Sequence, residues 1–149
     1  MSAPGIPTGV HVIFEQAGRV LLMRRANTGF FDGLFSLPGG HVEPDESVVM
    51  AAIREMREEL GVVVSAEDLR PVGVVHRHSD TNRIDFFLRA DRWSGTPTRA
   101  EPDKCDRLDW FDRTELPDQI VPYVADALAR HGQEPWVVES GWAVGLASI

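Results

Sequence analysis

Short apolar runs punctuated by turn residues fill the first third of the chain, and the period changes at residue 48. Val10-His11-Val12-Ile13-Phe14 predicts a strand, Gln16-Ala17-Gly18 a turn, and Val20-Leu21-Leu22-Met23 a second strand, together a hairpin ended by Arg24 and Arg25. Ala26 to Gly33 carries turn signals at Asn27, Gly29, Asp32 and Gly33 and predicts a loop, followed by a short strand at Leu34-Phe35-Ser36-Leu37. Pro38-Gly39-Gly40 predicts a sharp bend where backbone can approach a ligand closely. Val48, Ala52, Met56 and Leu60 then recur every fourth residue with Val49 and Ile53 beside them, the stripe of a helix of about four turns. Asp45 or Ser47 can cap its start, and Gly61 stands where a left-handed terminating residue is usual.

Beyond the helix, Val62-Val63-Val64 predicts a short extended piece and Ser65 to Asp68 a turn. Val72 to His76 and Ile84 to Leu88 predict two strands connected through His78-Ser79-Asp80-Thr81-Asn82. Asp91 to Asp106, with Gly95, Pro97 and Pro102, predicts an exposed loop. Leu108 to Phe111 follows as a strand, Leu116-Pro117-Asp118 as a turn, and Val121 to Arg130 as a second helix. Alternating strands and helices indicate an α/β fold without fixing strand order. The 149 residues suit one domain, with residues 1–9 as a flexible lead-in and residues 134–149 as an apolar extension. In that extension Trp136, Val137, Val138, Trp142 and Val144 are too apolar to be left in water; an added strand or a homodimer contact would each cover them.

Composition narrows the partners. A hydrophobic fraction of 43% is ordinary for a globular chain, and a net charge of -8 argues against a general nucleic-acid or membrane-surface binder. An anionic substrate must therefore be met locally, and Lys104, the only lysine, leaves that task largely to arginine. Cys105 is the only cysteine, so no internal disulfide forms. With no signal-peptide pattern in MSAPGIPTG and no run of about 20 apolar residues, the expected setting is the cytoplasm.

The acids on the first helix are crowded. Glu55, Glu58 and Glu59 fall on one face, where like charges repel by about 0.2–0.5 kcal/mol per pair. Glu58 and Glu59 also sit in the last turn, against the helix dipole. A solvated acidic face is the bland account. A hard divalent cation, which prefers carboxylate, carbonyl and water oxygens, is the account that explains the crowding.

Leu37 to Val62 resembles the Nudix box, G-x5-E-x7-R-E-U-x-E-E-x-G-U with U a bulky aliphatic residue. Gly40, Glu46, Arg54, Glu55, Glu58, Glu59, Gly61 and Val62 stand at its positions, eight over 23 residues. Met56 replaces the usual Leu, Ile or Val at the first U, and Pro44-Asp45 replaces the more common loop glycine. The resemblance extends over most of residues 10–130. It implies an α/β/α sandwich with a mixed sheet, the box helix against one side and the later helix against the other. It also implies a MutT-like hydrolase of nucleoside diphosphate derivatives, using Mg²⁺ or Mn²⁺.

By that resemblance Glu55, Glu58, Glu59 and the Gly40 carbonyl would hold metal, Arg54 would orient a carboxylate, and Glu55 would take the proton from the attacking water. Glu46 would order the loop and outer-shell water. Glu101 or Asp103 would add an acid from outside the box, or be a plain loop acid. For the substrate, Arg24 and Arg25 are candidates to steer phosphates, although Arg24 could simply end a strand. Phe30, Phe31, Phe35 and Trp110 are candidates to stack a base, although aromatics near a sheet are more often core. His76, His78 and Asp118 complete the set. A nucleoside triphosphate is the first expectation, a nucleotide-sugar the alternative, and a nucleotide-sensing module without chemistry the reading from another class.

Overall fold

Two successive residues in the left-handed region make the first turn of the chain. In a computed structural model, which describes residues 5–142, β1 (Thr8–Gln16) and β2 (Arg19–Arg25) form a hairpin that turns through Ala17 at φ 53° and Gly18 at φ 75°. A two-residue loop of this type needs positive φ at both positions, and Gly18 adopts it freely. β1 begins before the apolar run does, so Thr8 and Gly9 belong to a strand and not to a flexible lead-in. Residues 1–4 of that lead-in lie outside the described residues.

The other elements are β3 (Phe35–Ser36), β4 (Gly39–His41), α1 (Val48–Leu60), β5 (Leu69–His78), β6 (Asn82–Ala90), β7 (Cys105–Asp112), α2 (Pro122–Leu128) and β8 (Trp136–Ser140). The sheet runs β3-β2-β1-β6-β5-β8, with β4 paired to β1 and β7 to β2. β1 is parallel to β6 and β5 to β8, while the remaining pairs are antiparallel, so the sheet is mixed as expected.

Strand alternation builds a core on each face. Val10, Val12 and Phe14 of β1 pack with Ala51, Ala52, Met56 and Leu60 of α1. Ile13 turns the other way, toward Phe87, Val124, Ala127 and Leu128. The helices therefore cover opposite faces and the α/β/α sandwich stands. Each large side chain buried here contributes about 1.5–3 kcal/mol. α1 starts where Ser47 Oγ accepts from the Met50 N–H at 3.1 Å, so Ser47 and not Asp45 is the cap; it stops at Gly61, whose φ is 69°.

Two regions depart from the expected pattern. Pro38-Gly39-Gly40 is no free bend: Gly39–His41 pairs antiparallel with β1, Gly40 opposite Val10 and Gly39 opposite His11. The apolar extension supplies an added strand. β8 runs parallel to β5, and the indole of Trp136 lies where a Cβ on Gly73 would collide with it. Val138 is buried with Trp136, and Trp142 Nε1 donates to the His76 carbonyl at 2.9 Å. Val144 lies outside the described residues. Among the described residues no helix is long and apolar enough to cross a membrane.

Candidate active site

Arg54 gathers the acids of α1 and its leading loop. Its Nη2 donates to Glu46 Oε1 at 2.6 Å and its Nε to Glu46 Oε2 at 3.1 Å, a forked pair. Its Nη1 donates to Glu55 Oε1 at 2.8 Å and Glu58 Oε2 at 3.3 Å, and Nη2 also reaches the His41 carbonyl at 3.0 Å. Glu46 in turn accepts from the Glu43 N–H at 2.9 Å, which closes the loop before the helix. One guanidinium thus holds three of the box carboxylates and β4.

These contacts separate the acids electrostatically. The Arg54 hydrogen bonds hold the Glu46 carboxyl below its ordinary range. Burial pushes Glu55 up, against the pull of Arg54. Burial, then the neighbouring Glu55, push Glu59 up to about 8; its Oε2 accepts from the Gly39 N–H at 3.0 Å, which offsets only part of this. Gly40 has no side chain for a reason of space, since a Cβ there would collide with the Glu55 carboxylate.

A cleft of about 580 Å³ begins at these acids. Gly40, Glu55, Glu58, Glu59 and Glu101 line one end with Lys104. His11, Arg77, Asp85 and Tyr123 line the cleft on the α2 face with Phe30 beside Arg77; Arg83 also lines it, and Arg25, Asn27 and Thr28 lie between, Asn27 Nδ2 donating to the Asp103 carbonyl next to Lys104 at 2.9 Å. The loop carrying Phe30 is shaped by Asp32, which accepts from the Thr28 N–H at 3.1 Å and the Gly29 N–H at 2.8 Å. Arg25 Nε donates to the Phe30 carbonyl at 2.7 Å and leaves its ring 38% exposed.

The cleft passes from one face of the sheet to the other. Glu55 lies over Gly40 on the α1 face, whereas Asp85 lies over Gly9 on the α2 face, and a Cβ on either glycine would collide with the carboxylate above it. Gly39 likewise leaves room for His11. Three glycines therefore let Glu55, Asp85 and His11 lie close against the backbone along the cleft.

Similarity to known proteins agrees with this arrangement. The NUDIX domain model matches residues 6–131. The chain belongs to the NUDIX domain family. It is 36% identical over 109 residues to the oxidized purine nucleoside triphosphate hydrolase of Danio rerio, 71% of this chain and 66% of that one. It is 47% identical over 53 residues to the CTP pyrophosphohydrolase of Escherichia coli, 36% of this chain and 39% of that one. The chain thus spans between about two fifths and two thirds of the length of these curated relatives. The crystal structure of a MutT NUDIX hydrolase from Burkholderia pseudomallei superposes with a TM-score of 0.78 at 29% identity, covering 85% of this chain and 98% of that one.

The NUDIX family uses divalent metals, and the donors here suit a hard cation. Four carboxylates and Gly40 line the same cleft, and Glu55 and Glu59 are held there at an electrostatic cost that positive charge would relieve. Among the described residues no three or more His, Cys, Asp or Glu side chains stand close enough together to hold a metal ion by themselves. Mg²⁺ does not need such a set, since it keeps several waters and takes one or two carboxylates plus substrate phosphates.

Sequence reasoning placed Gly40, Glu55, Glu58, Glu59, Glu101, Arg25 and Phe30 together, and all line the NUDIX cleft. Four further expectations need correction. Arg24 points away from the cleft and pairs with Asp106 at 2.7 Å. Phe35 is core, 4% exposed and edge-on to Phe111. His76 bonds Asn82 at 2.7 Å and packs on Trp142, and exposed Asp118 does not line the cleft. Trp110, a further stacking candidate, stacks on Trp93 at 5.9 Å beside the α1 core, and Phe31 packs against the α2 core.

Sequence reasoning also missed a buried group. Asp85 Oδ2 accepts from Arg77 Nε at 2.7 Å, and Oδ1 lies 3.3 Å from His11 Nε2. Burial would raise the Asp85 carboxyl, but His11 and Arg77 together bring it down to about 2. A carboxylate inside the apolar run Ile84 to Leu88 was the available signal, since such a charge is almost never buried unpaired.

Proposed function

We propose that the chain is a divalent-metal-dependent pyrophosphohydrolase that cleaves the pyrophosphate linkage of a nucleoside triphosphate, or a related nucleoside diphosphate derivative, by water attack at phosphorus. The observation that carries this reading is the continuity of the cleft: an acid-rich end suited to metal and phosphates runs into an end lined by aromatic and arginine side chains. The names of the relatives from zebrafish and Escherichia coli, both hydrolases of nucleoside triphosphates, support the same substrate class.

Glu55, Glu58, Glu59 and the Gly40 carbonyl would hold Mg²⁺ or Mn²⁺, with Glu101 at the rim. The cation, when bound, supplies charge against the phosphoryl oxygens and makes water a better nucleophile. Arg54 fixes Glu46, Glu55 and Glu58 in place, so that the acids need no reorganisation on binding. Glu55, already raised by burial, accepts the proton of the attacking water as its oxygen bonds to phosphorus and the P–O anhydride bond breaks. Lys104 and Arg25 offset charge on the phosphates within the same cleft. The partner is a small nucleotide, and the setting is the cytoplasm.

Incubation with a nucleotide panel and Mg²⁺ or Mn²⁺ tests the reading. Monophosphate plus pyrophosphate from a triphosphate is the expected result. Two monophosphates, released only from a nucleotide-sugar, would move the substrate class. Saturable binding without any product would overturn catalysis.

A further inference from the structure

The α2 face of the cleft contains a buried guanidinium held by an ion pair and two aromatic rings. Arg77 is 5% exposed, with Nε fixed by Asp85 and its Cζ 4.4 Å from the Tyr123 ring centroid and 5.6 Å from that of Phe30. Asp85 is itself locked by His11, which stacks on Phe87 at 4.8 Å. The remaining contact of Arg77 is a long one, Nη1 to Ser79 Oγ at 3.4 Å. Its Nη2 donors have no protein partner among the described residues, yet they are not sealed from solvent, and Arg77 lines the cleft.

A buried ion pair is weak evidence for stability, because desolvation offsets most of its attraction. This one keeps a pair of N–H groups aimed into a cleft. Its charge is already neutralised at 2.7 Å, so the pair suits a neutral acceptor better than a second phosphate. Tyr123, pushed up to about 12 by burial and by Asp85, keeps its proton, and its hydroxyl is a further donor on a residue that lines the same cleft. The exposed ring of Phe30 at the mouth offers a stacking surface.

We propose that Arg77, pinned by Asp85 between Phe30 and Tyr123, determines specificity by donating to the nucleobase carbonyl at purine C6 or pyrimidine C4. Guanine and uracil carry that carbonyl where adenine and cytosine carry an amino group, which would meet Arg77 donor to donor. This rests on the proposed reading of the cleft as a nucleotide site.

The test compares kcat/KM for GTP, UTP, ATP and CTP in the wild-type protein, Arg77→Met and Tyr123→Phe, with circular dichroism to verify folding. The wild type is expected to favour GTP and UTP by about tenfold or more, the discrimination one good Arg–base contact supplies. Arg77→Met is expected to collapse that preference through KM. Tyr123→Phe, which keeps the ring and removes only the hydroxyl, reduces it in part and remains informative if Arg77→Met fails to fold. Equal use of all four nucleotides by the wild type, or an equal fall for all four in a folded Arg77→Met, would overturn the proposal and leave the hydrolase reading intact. If no nucleotide is cleaved, calorimetry with GMP, UMP, AMP and CMP decides. Tighter binding of GMP and UMP upholds the base preference while the triphosphate reading falls, and indifference among the four overturns the preference too.

Discussion

Glu59→Gln should make the metal-free protein more stable at alkaline pH, and the size of the gain follows from the site. Folding takes the Glu59 carboxyl from an ordinary 4.5 to about 8. A raised carboxyl holds its proton in the folded state at pH values where the unfolded chain has released it. The folded state therefore binds more protons between pH 4.5 and about 8, and stability falls as pH rises through that window. Each pH unit between the two values is worth about 1.36 kcal/mol, an upper bound of roughly 4–5 kcal/mol; for a side chain that is only part-buried, about 2 kcal/mol is the expected loss. Urea melts in EDTA at pH 5.5 and pH 8.5 measure it. Glu59→Gln should gain about 2 kcal/mol on the wild type between the two conditions. Parallel stability curves for the two proteins would show that Glu59 is ionised freely and that the strained acid site does not exist.

Glu58→Gln should abolish turnover with little change in melting temperature, because it removes one of several crowded charges; turnover at the wild-type rate would remove Glu58 from its assigned role. Gly40→Ala should lower kcat by at least an order of magnitude while the protein still folds, since the added Cβ displaces the Glu55 carboxylate; steady-state kinetics decide. Asp85→Ala strands the buried Arg77 charge and should cost about 3–5 kcal/mol in a urea melt. Gly73→Ala should destabilise by about 1–3 kcal/mol, because the methyl collides with Trp136 and loosens β8 from β5.

Local signals carried a good part of this molecule. The four-residue spacing from Val48 to Leu60, a cap before it and Gly61 after it belong to one continuous stretch, and so do the acids that Arg54 gathers. What stayed hidden depends on pairing between distant segments. Gly39-Gly40 reads locally as a bend, and only the ladder with β1 turns it into a strand passing beneath Glu55. His11, Arg77, Asp85 and Tyr123 come from four elements spread over more than a hundred residues, so no spacing rule links them. Arg24 and Arg25 are adjacent in sequence, but strand alternation sends one to Asp106 and the other into the cleft.

The run of the cleft from one face of the sheet to the other has a kinetic consequence. Because the glutamates lie on the α1 face of the sheet and Arg77 on the α2 face, the two fragments that the proposed cleavage would leave lie at different places in one continuous cleft and need not depart in a fixed sequence. Inhibition by a nucleoside monophosphate and by pyrophosphate should then be mutually non-exclusive, and a small compound bound beside the glutamates could be tethered to another bound beside Arg77.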